Sequence, residues 1–262
     1  MPTILRTQRA SMVAIAAAVA SAVVLSACGG SGAPVDRAAA DPTASGCVGA
    51  RTATSQEWVR PLEPAPSPDL PVTVTDVTGQ SITISDTSRI LALDTYGTLG
   101  TTVYALGLGD RLVGRDVSTG VPALVDLPVV TANGHELQAE AILDLDPSVI
   151  LTDYSIGPLE VQMQLKDAGI PVVILDDHRA RDTIGEQLRA VAHALGVDAA
   201  GDAVASRVER EISAAEQQVS EMANASPLKG MRMVFLYLRG SAGVFYWFGE
   251  GSGADDLIEA LG

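Results

Sequence analysis

Side chains able to hold a metal or move a proton are few. The 262-residue sequence has three histidines, five tyrosines and two cysteines. His135 stands out by position: it follows Asn133-Gly134, after a β-branched run at 129–131 and before a helix-like segment starting near Leu137. In open α/β sheets, ligands bind outside the carboxyl ends of the strands, where such a loop belongs, and imidazole is the commonest metal ligand. His135 is therefore either a ligand-binding residue or a solvent-facing loop histidine. His178, after Asp176-Asp177 at another strand end, reads as a solvated loop residue. His193, in Val191-Ala192-His193-Ala194-Leu195, reads as a packed or surface residue of a helix.

Tyr237-Leu238-Arg239 is the second candidate. Residues i and i+2 of a strand share a face, so Tyr237 and Arg239 are expected to project together. A guanidinium beside a phenol favours the phenolate, drawing its pKa below the usual value of about 10. Phenolate oxygen is a hard donor suited to ferric iron, tyrosine can ligate haem, and arginine also pairs with carboxylates such as a propionate. The other reading is a strand tyrosine beside an ordinary surface arginine. Two cysteines exclude iron–sulfur and Cys-rich zinc sites. G-x-S-x-G, H-E-x-x-H and Walker A motifs are absent. Gly249-Glu250-Gly251-Ser252-Gly253 lacks the lysine of a phosphate loop and reads as a turn before a helix, with Asp255 and Asp256 in its first turn.

The elements that must position these residues follow from periodicity. Alternation over 72–84 predicts a small hairpin. Short β-branched runs at 89–93, 112–114, 129–131, 149–152 and 172–175 then alternate with helical segments at 99–106, 137–145, 159–168 and 183–195. Such alternation predicts a parallel α/β lobe over 72–198. A long helix at 199–226 carries an apolar stripe of Val204, Val208, Ile212, Ala215, Val219 and Met222. Strands at 231–238 and 244–248 and a helix at 254–261 begin a second lobe over 227–262. These are too few elements for a whole lobe, so a truncated second lobe is expected. It would expose apolar surface and sheet edges, and the product is expected to be poorly soluble.

The amino terminus and the charge define the setting. Arg6 and Arg9 precede an uncharged apolar run from Met12 to Leu25, the pattern of an export signal at 1–27. Leu25-Ser26-Ala27-Cys28 resembles the bacterial lipobox, which implies lipidation of Cys28. A Gly/Ala/Ser/Thr/Pro-rich stretch over 28–71 reads as a flexible tether, with Cys47 in it as a free thiol of no assigned function. The whole chain has 17 basic and 32 acidic residues, a charge of −15. Removing the signal takes away Arg6 and Arg9 and no acid, leaving 15 against 32, or −17. So acidic a chain argues against nucleic-acid binding.

Signal, tether, α/β lobe, long helix and second lobe together resemble the substrate-binding lipoproteins of ABC importers for iron complexes and cobalamin. Ile90–Gly114, Glu140–Leu151 and Gly251-Ser252-Gly253-Ala254-Asp255-Asp256-Leu257-Ile258 carry the likeness. It implies two α/β lobes joined by one rigid helix, a binding rather than catalytic role, and a permease and ATPase as partners of a monomer. Within that family the sequence is most similar to actinobacterial haem-binding members. In those, a His of the first lobe and a Tyr of the second, with an Arg two residues later, hold the haem iron. His135, Tyr237 and Arg239 match these positions, which implies Fe(III) haem as the transported ligand, received free or from haem-donor proteins. The likeness also implies one docking glutamate for the permease on each lobe, matched by Glu140 and more loosely by Glu250. A ferric siderophore or cobalamin on the same scaffold, a membrane-anchored α/β enzyme, and a structural cell-envelope protein are the other readings.

Overall fold

A computed structural model describes residues 59–225, 232–239 and 243–260. The export signal, Cys28 and Cys47 lie outside the described residues. An antiparallel hairpin, β1 (Val72–Thr75) and β2 (Ser81–Ile84), opens the lobe. Three parallel strands follow in the order β3 (Ile90–Leu93), β6 (Val149–Thr152) and β7 (Val172–Ile174). The run at 112–114, expected as a strand, adds only a single parallel bridge, Leu112 beside Ile90. A further bridge pairs Arg115 with Val129.

Each of the three parallel strands buries both its faces, which is why these runs are continuously apolar. Ile90 and Ala92 of β3 and Val149 and Leu151 of β6 point into one core. That core is closed by α1 (Thr98–Val103), α4 (Ile184–Ala194) and the start of α5 (Asp198–Ala225). Leu91, Leu93 and Ile150 point the other way, into a second core under α2 (Ala139–Asp144) and α3 (Leu159–Asp167). The two-residue period of the strand thus divides one apolar run between two helical layers.

Between the sheet and α2, β4 (Thr131–Ala132) and β5 (Glu136–Leu137) form a hairpin, so the helix begins two residues after the expected 137. Residues 59–71, expected within the tether, lie against the lobe. Leu62 and Leu70 pack on the first core, and the amides of Leu62 and Asp69 donate to the carbonyls of Ala105 and Gly196.

The stripe on α5 is only half used. Val204 is buried and Val208 is partly buried against the core, whereas Met222 is exposed. The lobe covers the helix mainly where α4 and residues 104–108 pack on it, and the rest of the stripe runs beyond the core. After α5 come an antiparallel hairpin of β8 (Phe235–Arg239) and β9 (Val244–Phe248) and the short helix α6 (Ala254–Ala260). The turn ahead of α6 has glycines at positive φ, Gly251 and Gly253, and Asp255 and Asp256 sit in the first helical turn. No helix among the described residues is long and apolar enough to cross a membrane.

Candidate ligand-binding edge and cleft

Two parallel strands and one bridged segment of the lobe end in an aspartate: Asp94 after β3, Asp153 after β6, and Asp116 after the Arg115 bridge. All three are fully buried. Asp94 accepts from the amides of Tyr96, Thr98 and Leu99 at 3.3, 3.2 and 2.9 Å, which satisfies amides at the open amino end of α1. Gly97, at φ 72, makes that entry possible. A Cβ there would lie 2.5 Å from the backbone of Ser118. Asp153 accepts from the amide and hydroxyl of Ser155, and Asp116 from those of Thr119. Arg179, after β7, reaches over the group, placing its Nη2 2.5 Å from Asp153 and 3.6 Å from Asp94. Sequence reading missed this cluster. Its signal was an aspartate at the end of the runs at 89–93, 112–115 and 149–152.

Burial pushes the Asp116 carboxyl above the usual range, against the pull of the Thr119 and Asp94 amides, and the nearby Asp94 charge adds to the rise. Burial raises Asp153 likewise, against Ser155 and Arg179. With folded-state values above the unfolded ones, the native chain holds more protons in the interval between them. The contribution of these groups to stability therefore grows as pH falls through their folded values toward the ordinary carboxylate range, and it is lost as pH rises. Asp116→Asn removes the charge at nearly constant shape. The variant should fare better relative to the parent in thermal melts near pH 8 than near pH 5, and a pH-independent difference would contradict this account.

His135 sits at the same sheet edge. Asn133 and Gly134 both have positive φ, 51 and 89°, and the His135 amide donates to the Ala132 carbonyl. This is the tight turn that Asn-Gly favours between strands, and it places exposed His135 at the end of the turn. The hairpin is anchored to the loop after β6, where the Gly157 amide donates to the His135 carbonyl at 3.2 Å. Gly134→Ala adds a methyl into open space, so its cost is conformational alone, about 1–2 kcal/mol. A shift in the urea midpoint measures it, and an unchanged midpoint would contradict the turn assignment.

Tyr237 lies on β8 opposite Tyr246 of β9, the ring centroids 6.0 Å apart. Arg239 ends the same strand. No hydrogen bond or ring contact joins Tyr237 to His135 among the described residues. Glu140 is exposed in the first turn of α2, and Glu250 is exposed in the turn before α6. His178 and His193 are exposed, and the His193 ring pairs with Asp198.

A cleft of about 1260 Å³ opens between α1, α4, the exposed half of the α5 stripe, residues 233–235 and α6. Leu188, Val191, Ile212, Val219, Leu257 and Ile258 form much of its wall. His135 and Tyr237 do not line it. Arg181, at its rim, is bound to Glu216 at 2.6 Å, and its amide donates to Asp256. A binding site needs a few convergent polar groups. Tyr96, Thr98 and Arg179 of the strand-end edge also line the cleft and supply such groups. Among the described residues no group of three or more His, Cys, Asp or Glu is placed to hold a metal ion. The buried aspartates spend their oxygens on amides, hydroxyls and Arg179.

The family model described as Periplasmic binding protein matches residues 95–262. The chain belongs to this family. Periplasmic binding proteins hold and release a substrate and are not enzymes, and the α/β lobe with its long helix is that of solved members. The heme binding protein HmuT is 43% identical, with a TM-score of 0.73 over 80% of this chain and 67% of its own. Further structures of HmuT replace one His, one Tyr, or the Arg two residues after that Tyr. The periplasmic heme-binding protein RhuT of Roseiflexus sp. RS-1 is 33% identical, with a TM-score of 0.56, over 67% of this chain and 64% of that one. An uncharacterized ABC transporter substrate-binding lipoprotein of Bacillus subtilis (strain 168), YvrC, is 30% identical over 135 residues. That match takes in 50% of this chain and 42% of the relative, so the chain spans less than half of that curated relative's length.

Proposed function

We propose that the chain captures haem outside the cytoplasmic membrane and delivers it to an ABC importer. His135 and Tyr237 are the axial ligands of this reading. Arg239 stabilises the phenolate and contacts a propionate. The observation that carries the reading is the pairing of His135 with a Tyr-x-Arg strand. It matches the His, the Tyr and the Arg two residues later that are replaced in HmuT, whose His precedes its Tyr by nearly the same length of chain. The position of His135 supports it: an exposed imidazole on a constrained turn at the edge where α/β folds bind ligands.

In the same reading Cys28 carries the lipid that holds the protein to the outer face of the membrane. Glu140 and Glu250 dock onto the permease, which works with its ATPase, and haem arrives free or from donor proteins to a monomer. Hemin titrated into the full chain should give a Soret band shifted from that of free hemin and saturating at one equivalent. A spectrum that remains that of free hemin contradicts the function.

A further inference from the structure

Two tyrosines stand exposed on loops of the sheet edge that also carries the His135 hairpin. Tyr96, after β3, is 61% exposed, and Tyr154, after β6, is 50% exposed. Neither ring pairs with another ring among the described residues. Exposed aromatic side chains on surface loops are ordinarily free to move, but these two loops are bound to each other and to the core. The Thr95 amide donates to the Ser155 hydroxyl at 3.0 Å, and the Thr95 hydroxyl donates to the Ser155 carbonyl. Tyr96 follows one end of this link and Tyr154 precedes the other. Beneath them, Asp94 takes the Tyr96 amide, Asp153 takes the Ser155 amide, and Arg179 binds both carboxylates. On its far side the Tyr154 loop holds the His135 hairpin through Gly157. Tyr96, Tyr154 and His135 therefore sit on three loops of one sheet edge that are hydrogen-bonded to one another, and Tyr96 also lines the cleft.

We infer that Tyr96 and Tyr154 are a stacking platform for the apolar face of a planar macrocycle whose centre is reached by His135. The inference rests on the haem reading and deepens it: His135 addresses the metal, whereas the tyrosines recognise the ring whether or not it carries one. Aromatic rings gain attraction from offset stacking beyond the area they bury, and a platform held by a buried network needs little ordering on binding.

The test uses the full chain with two probes, hemin followed by its Soret band and metal-free protoporphyrin IX followed by its fluorescence. The double variant Tyr96→Ala/Tyr154→Ala should weaken both probes, by roughly tenfold for each ring removed, and leave the position of the hemin-bound Soret band unchanged. Tyr96→Phe/Tyr154→Phe should retain parental affinity for both. His135→Ala should shift the Soret band and spare protoporphyrin binding. Parental affinity for both probes in the double alanine variant overturns the platform. So does an equal loss in the phenylalanine variant, which would assign the effect to the hydroxyls. A parent chain that binds neither probe overturns the haem reading itself.

Discussion

Arg179→Met is expected to destabilise the chain by about 3–5 kcal/mol, because it strands two buried carboxylates. Asp94 and Asp153 are inaccessible to water and share the Arg179 guanidinium, itself only 21% exposed. Methionine keeps much of the side-chain volume, so the loss isolates charge from packing. Two carboxylates would then face each other with only amides and hydroxyls to hold them, and one would take up a proton. The destabilisation should therefore shrink as pH falls toward the carboxylate range. Adding Asp153→Asn to Arg179→Met should recover a large part of the loss, since a neutral amide needs no counter-charge. Urea denaturation of the parent, the single variant and the double variant measures this. A cost below 1 kcal/mol, or no recovery, would show that the amides alone suffice for these acids.

The second large effect is expected on ligand binding. Removing an outer partner of a metal ligand already costs about 10–100-fold in affinity, so losing His135 or Tyr237 should cost roughly 100-fold or more. His135→Ala/Tyr237→Ala together should leave hemin with a spectrum close to that of the free ligand. Each single variant should give its own altered Soret band, because one axial donor remains. Both residues are exposed and outside the two cores, so the thermal midpoint should hardly change. Unchanged spectrum and affinity in the double variant would refute the assignment and favour a different iron chelate or cobalamin on the same scaffold.

The parallel lobe and the long helix were legible in the residues. Continuously apolar runs such as Ile90-Leu91-Ala92-Leu93 can be satisfied only between two helical layers, and the spacing of the apolar stripe from Val204 onward admits only a helix. The Asn133-Gly134 pair was legible too, though as a loop. That it closes a hairpin depends on Glu136 and Leu137 finding partners across the turn. Residue type and position made His135, Tyr237 and Arg239 candidates, and only the resemblance to haem-binding lipoproteins joined them into one site.

Other features were settled by tertiary structure. Leu112–Gly114 has the composition of a strand, yet only Leu112 bridges to a neighbour, since strand length is set by available partners and not by propensity. Residues 59–71 read as a tether by their prolines, but Leu62 and Leu70 find apolar surface to cover. Arg179 lies 26 residues from Asp153 and further from Asp94, and nothing local marks it as their partner. Charge pairing across a sheet edge is a property of the assembled fold. The residues determined which groups could do chemistry, because type and spacing are local. Only the fold decided which acids were buried, which cation held them, and that the loops of Tyr96, Tyr154 and His135 are joined along one edge, because those relations arise from chain segments meeting across the sheet.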